Sequence, residues 1–312
     1  ERPVLSVRNL RKVYGTQVAV DDMNFDLMPG RSLAIVGESG SGKSVAMLAI
    51  MGLLPWTATV KAERMHFDGQ DLLAMAPKQR RALVGRDVAM VFQEPMSSLN
   101  PCFTVGWQIA EALAAHTPLD RRARQARVVE LLDQVGIPDP ARRARAFPHQ
   151  LSGGMRQRVA IAIAMLHGPD LIIADEPTTA LDVTIQAQIL SEMQKLVRER
   201  GTALIWISHD LSVVAGLADR IAVMYAGRIV EQGTVDEVLD HPLHPYTQGL
   251  IGSLPSAQAR GTTRSARLRQ IPGMAPNLLQ LPGGCAFAPR CPRASGLCGA
   301  TMPAFTLPGP HT

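Results

Sequence analysis

Aromatic residues are scarce in this chain, at 4% of 312 residues. So few rings leave no obvious base-stacking platform, and the net charge of +5 is therefore not read as the mark of a nucleic-acid-binding surface. Long apolar runs are also missing. The longest, Ser44 to Trp56, falls short of the roughly 20 residues that a bilayer core demands, which argues against a membrane-spanning helix. No charged-then-apolar leader follows Glu1, so the expectation is a soluble protein of the cytoplasm. Cysteine is limited to Cys102, Cys285, Cys291 and Cys298, the last three within fourteen residues. In a cytoplasmic protein such crowding points to metal more than to disulfides. Cys102 is expected to be a small buried apolar side chain.

What remains suffices for a globular fold. A hydrophobic content of 46% over this length can bury a full core, as one large domain or two. Two arginine-rich runs, Asp120 to Arg127 and Ala141 to Ala146, read as solvated helical faces.

The chemistry is concentrated at the ends of short apolar runs. Leu33 to Val36 leads into GESGSGKS, in which Gly37, four residues, Gly42, Lys43 and Ser44 form a phosphate-binding loop between a strand and a helix. Glycines let successive backbone N–H groups turn inward, and the helix start adds its positive dipole end. Lys43 can reach the β- and γ-phosphates of a nucleotide and the Ser44 hydroxyl suits Mg²⁺. A second run, Leu171 to Ala174, reads as a strand of a parallel sheet covered on both faces. It ends in Asp175 and Glu176, two carboxylates that are costly to place there without a task. Asp175 suits the Mg²⁺ shell, through water, and Glu176 suits a base for the attacking water. Two further runs close on Gln93 and on Ser208 and His209, and ligands of doubly wound sheets collect at such strand ends. His209 then reads as a γ-phosphate contact.

The order of these segments, with LSGGM at 151–155 and ALD at 180–182, resembles that of ATP-binding-cassette (ABC) ATPases over residues 1–240. The resemblance implies an α/β fold, a P-loop NTPase of RecA-like type, with an antiparallel β subdomain and a helical subdomain at about 95–158. It implies ATP and Mg²⁺ as ligands, with Lys43, Gln93, Glu176 and His209 as catalytic residues and Ser44, Gln93 and Asp175 around the metal. Gly37, Ser39, Gly40, Gly42, Lys43 and Ser44 would hold the phosphates and Tyr14 would stack on adenine. Ser152, Gly153 and Gly154 would close over the nucleotide of a second cassette, and Asp182 would link the two sites. Met155 stands where glutamine is commonest in the family.

FQEPMSSLNP, PHQLSGGMRQR and HPLHPYTQGL narrow the likeness to the oligopeptide/dipeptide branch of importers, the last marking a C-terminal extension at 241–312. Importers of nickel, glutathione and other small solutes share much of this pattern. The implied partners are a second ATPase subunit, identical or homologous, two membrane-spanning permease subunits and, indirectly, an extracytoplasmic solute-binding protein. Nucleic acid is not among them. The implied location is the cytoplasmic face of the cell membrane. After a hairpin turning at Ala226 and Gly227, the proline- and glycine-rich tail should hold little regular structure. Its GGCAFAPRCPRASGLC resembles a family tail that holds a 4Fe-4S cluster, with Cys285, Cys291 and Cys298 as three ligands. Such clusters commonly take four thiolates, and the fourth is absent from its usual place.

Overall fold

The computed structural model describes residues 2–55, 59–92, 99–178, 183–254 and 271–303. Strands β1 (Leu5–Tyr14), β2 (Gln17–Leu27) and β3 (Ser32–Val36) precede helix α1 (Lys43–Met51). Short strands β4 (Thr59–Lys61), β5 (Arg64–Phe67) and β6 (Gln70–Asp71) lead to α2 (Pro77–Leu83) and β7 (Val88–Val91). A helical stretch follows, with α3 (Val105–Ala114), α4 (Arg121–Gln134), α5 (Pro140–Arg143) and α6 (Gly153–Met165). Then come β8 (Leu171–Asp175), α7 (Val183–Arg200), β9 (Ala203–Ser208), α8 (Leu211–Val214), β10 (Arg220–Tyr225) and β11 (Arg228–Thr234). The chain continues through α9 (Val235–Asp240), α10 (Pro245–Gly252) and α11 (Gly296–Ala300). It forms two compact units, residues 1–5, 27–32 and 66–207, and residues 6–26, 33–65 and 208–312.

In the first unit β8 pairs in parallel with β7 on one side, Leu171 opposite Val88, and with β9 on the other, Leu171 opposite Ala203. A strand with a neighbour on each edge and cover on both faces carries no polar alternation, and all five residues of β8 are buried. Three helices of this unit begin where a side chain satisfies one of their first N–H groups. Thr104 accepts from Trp107, Asp120 from Ala123 and Ser152 from Met155. Helix α4 buries Val128, Leu131 and Leu132, while Arg121 and Arg122 face solvent, as the arginine run led one to expect. Cys102 departs from expectation: it is exposed. It lies in a turn after Pro101 and donates its N–H to the Asn100 Oδ1 at 2.9 Å, so local turn chemistry holds it outside the core.

The second unit holds β1 and β2, with β4 antiparallel on β1. It also holds β3, which pairs in parallel with β10, while β10 and β11 form a hairpin. That hairpin turns at Ala226 (φ 49°) and Gly227 (φ 83°), the two positive φ values that a tight turn matched to strand twist requires. Helix α9 starts with a reciprocal cap in which Glu237 N–H donates to Thr234 and Thr234 N–H to Glu237. Beyond α10, the described part of the tail contains only a 3-10 turn at Ala288–Arg290 and α11. Met274, Leu279 and Leu297 of the tail are exposed, whereas Phe287 is buried in an aromatic cluster. Tyr246 and Phe287 are almost wholly buried, with ring centroids 5.5 Å apart, and Tyr225 of β10 packs on both at 4.7 and 5.1 Å. Each such ring contributes about 1.5–3 kcal/mol by leaving water, so this cluster is what fastens the tail to its unit.

A candidate nucleotide site

The phosphate-binding loop of the second unit follows β3, all of whose residues are buried. Its glycines are demanded by space as well as by conformation. A Cβ on Gly37 would stand 2.3 Å from the Met224 carbonyl oxygen, and one on Gly42, whose φ is 94°, would stand 2.6 Å from that of Ala19. The loop is also tied to the β10–β11 turn, since Gly227 N–H donates to the Ser41 carbonyl at 2.9 Å. Gly40 opens onto empty space, and Ser44 lies in the first turn of α1. Lys43 is buried, and its ammonium donates to the carbonyls of Gly37 (2.7 Å) and Glu38 (2.9 Å) and to the Ser41 hydroxyl (3.3 Å). A cation held on loop carbonyls where a helix starts fits a polyanion of phosphate type.

Glu38, at the second position of the loop, was not singled out from the sequence. Its N–H donates to the Tyr246 hydroxyl at 2.9 Å, and its carboxylate takes a two-pronged ion pair from Arg290 at 2.7 and 3.0 Å. The Arg290 side chain is 7% exposed against 30% for Glu38, and its Nε donates to the Pro272 carbonyl at 2.8 Å. Hydrogen bonding to Glu38 holds this guanidinium more firmly charged than an ordinary arginine, against its own burial. Burial pushes the Tyr246 phenol up, so it stays neutral. No local pattern announces Arg290; Tyr246 at least falls within HPYTQGL.

Elsewhere in this unit Tyr14 is half-buried at the end of β1, with the Lys12 ammonium 3.8 Å from its ring centre. His209 is exposed, between β9 and α8, where Asp210 N–H donates to Ser208 Oγ and the Asp210 carboxylate caps Ser212.

The first unit places Asp175 buried at the end of β8. Glu176 follows with φ 44° and donates its N–H to the Ile207 carbonyl at 2.9 Å. A left-handed glutamate is sparsely populated, and such backbone persists only where its surroundings over-determine it. Ser152 is exposed at the start of α6, its hydroxyl accepting from Met155 N–H at 3.2 Å, with Gly153 half-buried and Gly154 buried behind it. Gln93 and Asp182 lie outside the described residues.

The three cysteines of the tail are each half-buried. Cys285 N–H donates to the Cys298 carbonyl at 2.7 Å, while the sulfur of Cys291 accepts from Arg293 N–H and that of Cys298 from Ser295 N–H. Those Ser295 bonds hold the Cys298 thiol below the ordinary cysteine range. Among the described residues no group of three His, Cys, Asp or Glu side chains stands ready for a metal ion.

Sequence comparison agrees with this geometry. Residues 20–179 match the ABC transporter family and residues 230–298 the C-terminal region of oligopeptide/dipeptide transporters. The chain belongs to the ABC transporter family. The dipeptide transport ATP-binding protein DppD of Escherichia coli (strain K12) is 51% identical over 309 residues, 97% of this chain and 93% of its own length. DppD of Bacillus subtilis (strain 168) is 48% identical over 309 residues, again 97% of this chain and 91% of its own. Among solved structures, a dimeric ATP-binding cassette in a post-hydrolysis state with ADP and Pi aligns with a TM-score of 0.66 at 27% identity. That alignment covers 74% of this chain and 98% of the cassette. The cassette cbiO1 of Clostridium perfringens aligns with the same TM-score at 28% identity, over 77% of this chain and 92% of its own.

Proposed function

We propose that this chain is the ATP-hydrolysing subunit of a di- or oligopeptide importer. The observation that carries the proposal is the joint presence of a glycine-shaped loop with Lys43 on its carbonyls and a C-terminal extension of the oligopeptide/dipeptide type bonded to that loop. Among the described residues no helix is long and apolar enough to cross a membrane, so translocation falls to permease subunits. The stacked, half-exposed pair Phe103 and Trp107 supports a docking face for them on the helical stretch.

On binding ATP, Lys43 exchanges the loop carbonyls for the β- and γ-phosphate oxygens, and the loop N–H groups complete the cradle. Ser44, Gln93 and Asp175 would hold Mg²⁺, which would supply charge neutralisation for the phosphates. Tyr14 stacks on adenine. Glu176 accepts a proton from the attacking water while His209 contacts the γ-phosphate. Ser152, Gly153 and Gly154 cover the nucleotide of a second cassette, and Asp182 joins the paired sites. Closure of the pair on ATP and its release after hydrolysis drive the permease between its two orientations, at the cytoplasmic face of the membrane.

The test is ATP hydrolysis by the co-purified, membrane-embedded complex, with peptides delivered by its binding protein, wild type beside Glu176→Gln. Removing a general base should lower turnover by about 10²-fold or more. Peptide stimulation that disappears in the variant supports both parts of the proposal. Turnover that depends on Glu176 but ignores every peptide would move the substrate to another small solute, and undiminished turnover in the variant would remove Glu176 as the base.

A further inference from the structure

We infer that Arg290, through Glu38, is a positioning residue for nucleotide binding: it sequesters the one carboxylate of the phosphate-binding loop, so the C-terminal extension sets part of the affinity for MgATP. The inference rests on the reading of residues 37–44 as the phosphate cradle.

A loop that receives a polyanion gains nothing from a carboxylate of its own, yet Glu38 sits at its second position. Every polar group of Glu38 has a defined partner. The N–H goes to Tyr246 and the carboxylate to both terminal nitrogens of Arg290, which together aim the residue at the extension. The carbonyl goes to the Lys43 ammonium at 2.9 Å. The glutamate is therefore one bond away from the lysine that must serve the phosphates. Without Arg290, a carboxylate on this flexible side chain has a ready cation in Lys43, and pairing there both occupies the lysine and leaves a negative charge facing the incoming triphosphate.

Arg290 is built for the opposite outcome. A planar fork matches a carboxylate at two points, and its third nitrogen is fixed by Pro272, so the guanidinium arrives oriented. The arginine lies in a 3-10 turn between Phe287, in the aromatic cluster, and Cys291. Whatever holds that turn against the cluster holds Glu38 away from Lys43.

The experiment measures binding of a fluorescent ATP analogue with Mg²⁺ to the full chain, together with KM and kcat for ATP in the transporter complex. Arg290→Met should weaken binding and raise KM by about tenfold, with kcat within about twofold, because an unpaired charge is left beside the anion site. Arg290→Lys keeps the charge but loses the fork, and should fall about threefold below wild type. The decisive variant is Glu38→Gln combined with Arg290→Met. With no carboxylate left to capture Lys43, binding should return to within about threefold of wild type. A merely structural pair would leave this double variant at least as weak as Arg290→Met. Unchanged affinity in Arg290→Met, or no recovery in the double variant, overturns the inference. Should Arg290→Met fail to fold, Arg290→Lys carries the test, and wild-type affinity there overturns it. Failure of the wild-type chain to bind MgATP at all would instead reject the cradle reading itself.

Discussion

Glu231 offers a direct measure of what fastens the C-terminal extension to the second unit. It lies on β11, 8% exposed, and its two carboxylate oxygens accept the N–H groups of Leu243 (2.8 Å) and His244 (2.9 Å). These are the residues that turn the chain from α9 into α10, and α10 carries Tyr246. Glu231→Ala removes both acceptors and leaves two backbone donors without their partner. Hydrogen bonds to a charged group contribute about 1.5–3 kcal/mol each, giving about 3–6 kcal/mol as an upper bound. The bound is reduced because Leu243 is 54% exposed, so water can reach its N–H once the carboxylate is gone. A loss of about 2–4 kcal/mol is therefore expected, against about 1–2 kcal/mol for Glu231→Gln, which keeps one acceptor.

Urea unfolding of the full chain, followed by tyrosine fluorescence and by amide exchange in α10, reads both quantities. The expected pattern is a lowered midpoint for Glu231→Ala, an intermediate midpoint for Glu231→Gln, and faster exchange at His244 and Tyr246 before global unfolding. If Glu231→Ala stays within about 0.5 kcal/mol of wild type, which is the range of ordinary surface changes, the carboxylate does not anchor the extension and the reasoning fails.

Two further outcomes follow from neighbouring geometry. His244 caps α10 by accepting Tyr246 N–H on Nδ1 at 3.1 Å, which only a neutral ring can do, and burial holds its pKa below the ordinary value despite the opposing pull of Glu231. The unfolded chain then binds the proton first, so the stability contributed by the cap is present above about pH 6.5 and is lost as pH falls below it. Thermal melts at pH 7.5 and 5.5 should show a larger acid loss for wild type than for His244→Asn, which caps without titrating; equal losses would contradict the assignment. At the loop, Gly42→Ala meets both a positive φ and the Ala19 carbonyl, whereas Gly40→Ala meets a positive φ of 79° and open space. Both should lose about 1–2 kcal/mol from the left-handed backbone, but Gly42→Ala should lose more and abolish MgATP binding. Equal effects in calorimetry of the two variants would show that conformation alone governs the loop.

Much of this molecule could be read locally. Lys43 and Ser44 stand where a strand, a glycine loop and a helix meet, and each of those parts is written within a dozen residues. The buried run of β8, the hairpin turn at Ala226 and Gly227, and the caps at Asp120 and Ser152 are likewise short-range, because backbone conformation there is decided by the next one to four side chains. What escaped notice is long-range. Glu38 and Arg290 are separated by 252 positions and Glu38 and Tyr246 by 208, so nothing near either end signals the pairing. Glu176 carries no hint of its left-handed φ, since glutamate has no preference for it; the residue takes it up while its N–H still donates to Ile207 of the neighbouring strand. Cys102 was misread for the complementary reason. Its residue type suggested the core, but Pro101 and Asn100 had already made the segment a turn.

The same contrast bears on how this cassette is specialised. A phosphate loop shaped by its own glycines can bind nucleotide in any member of the family, because its donors are backbone groups and one lysine. Glu38 adds a charge that weakens such a loop unless something neutralises it, and here the neutralising group is supplied by the extension, from an arginine buried among that extension's own packing contacts. Glu38 and Arg290 therefore have to be considered as one device: either residue without the other leaves an uncompensated charge, and together they make the competence of the most local motif in the chain depend on its most distant segment.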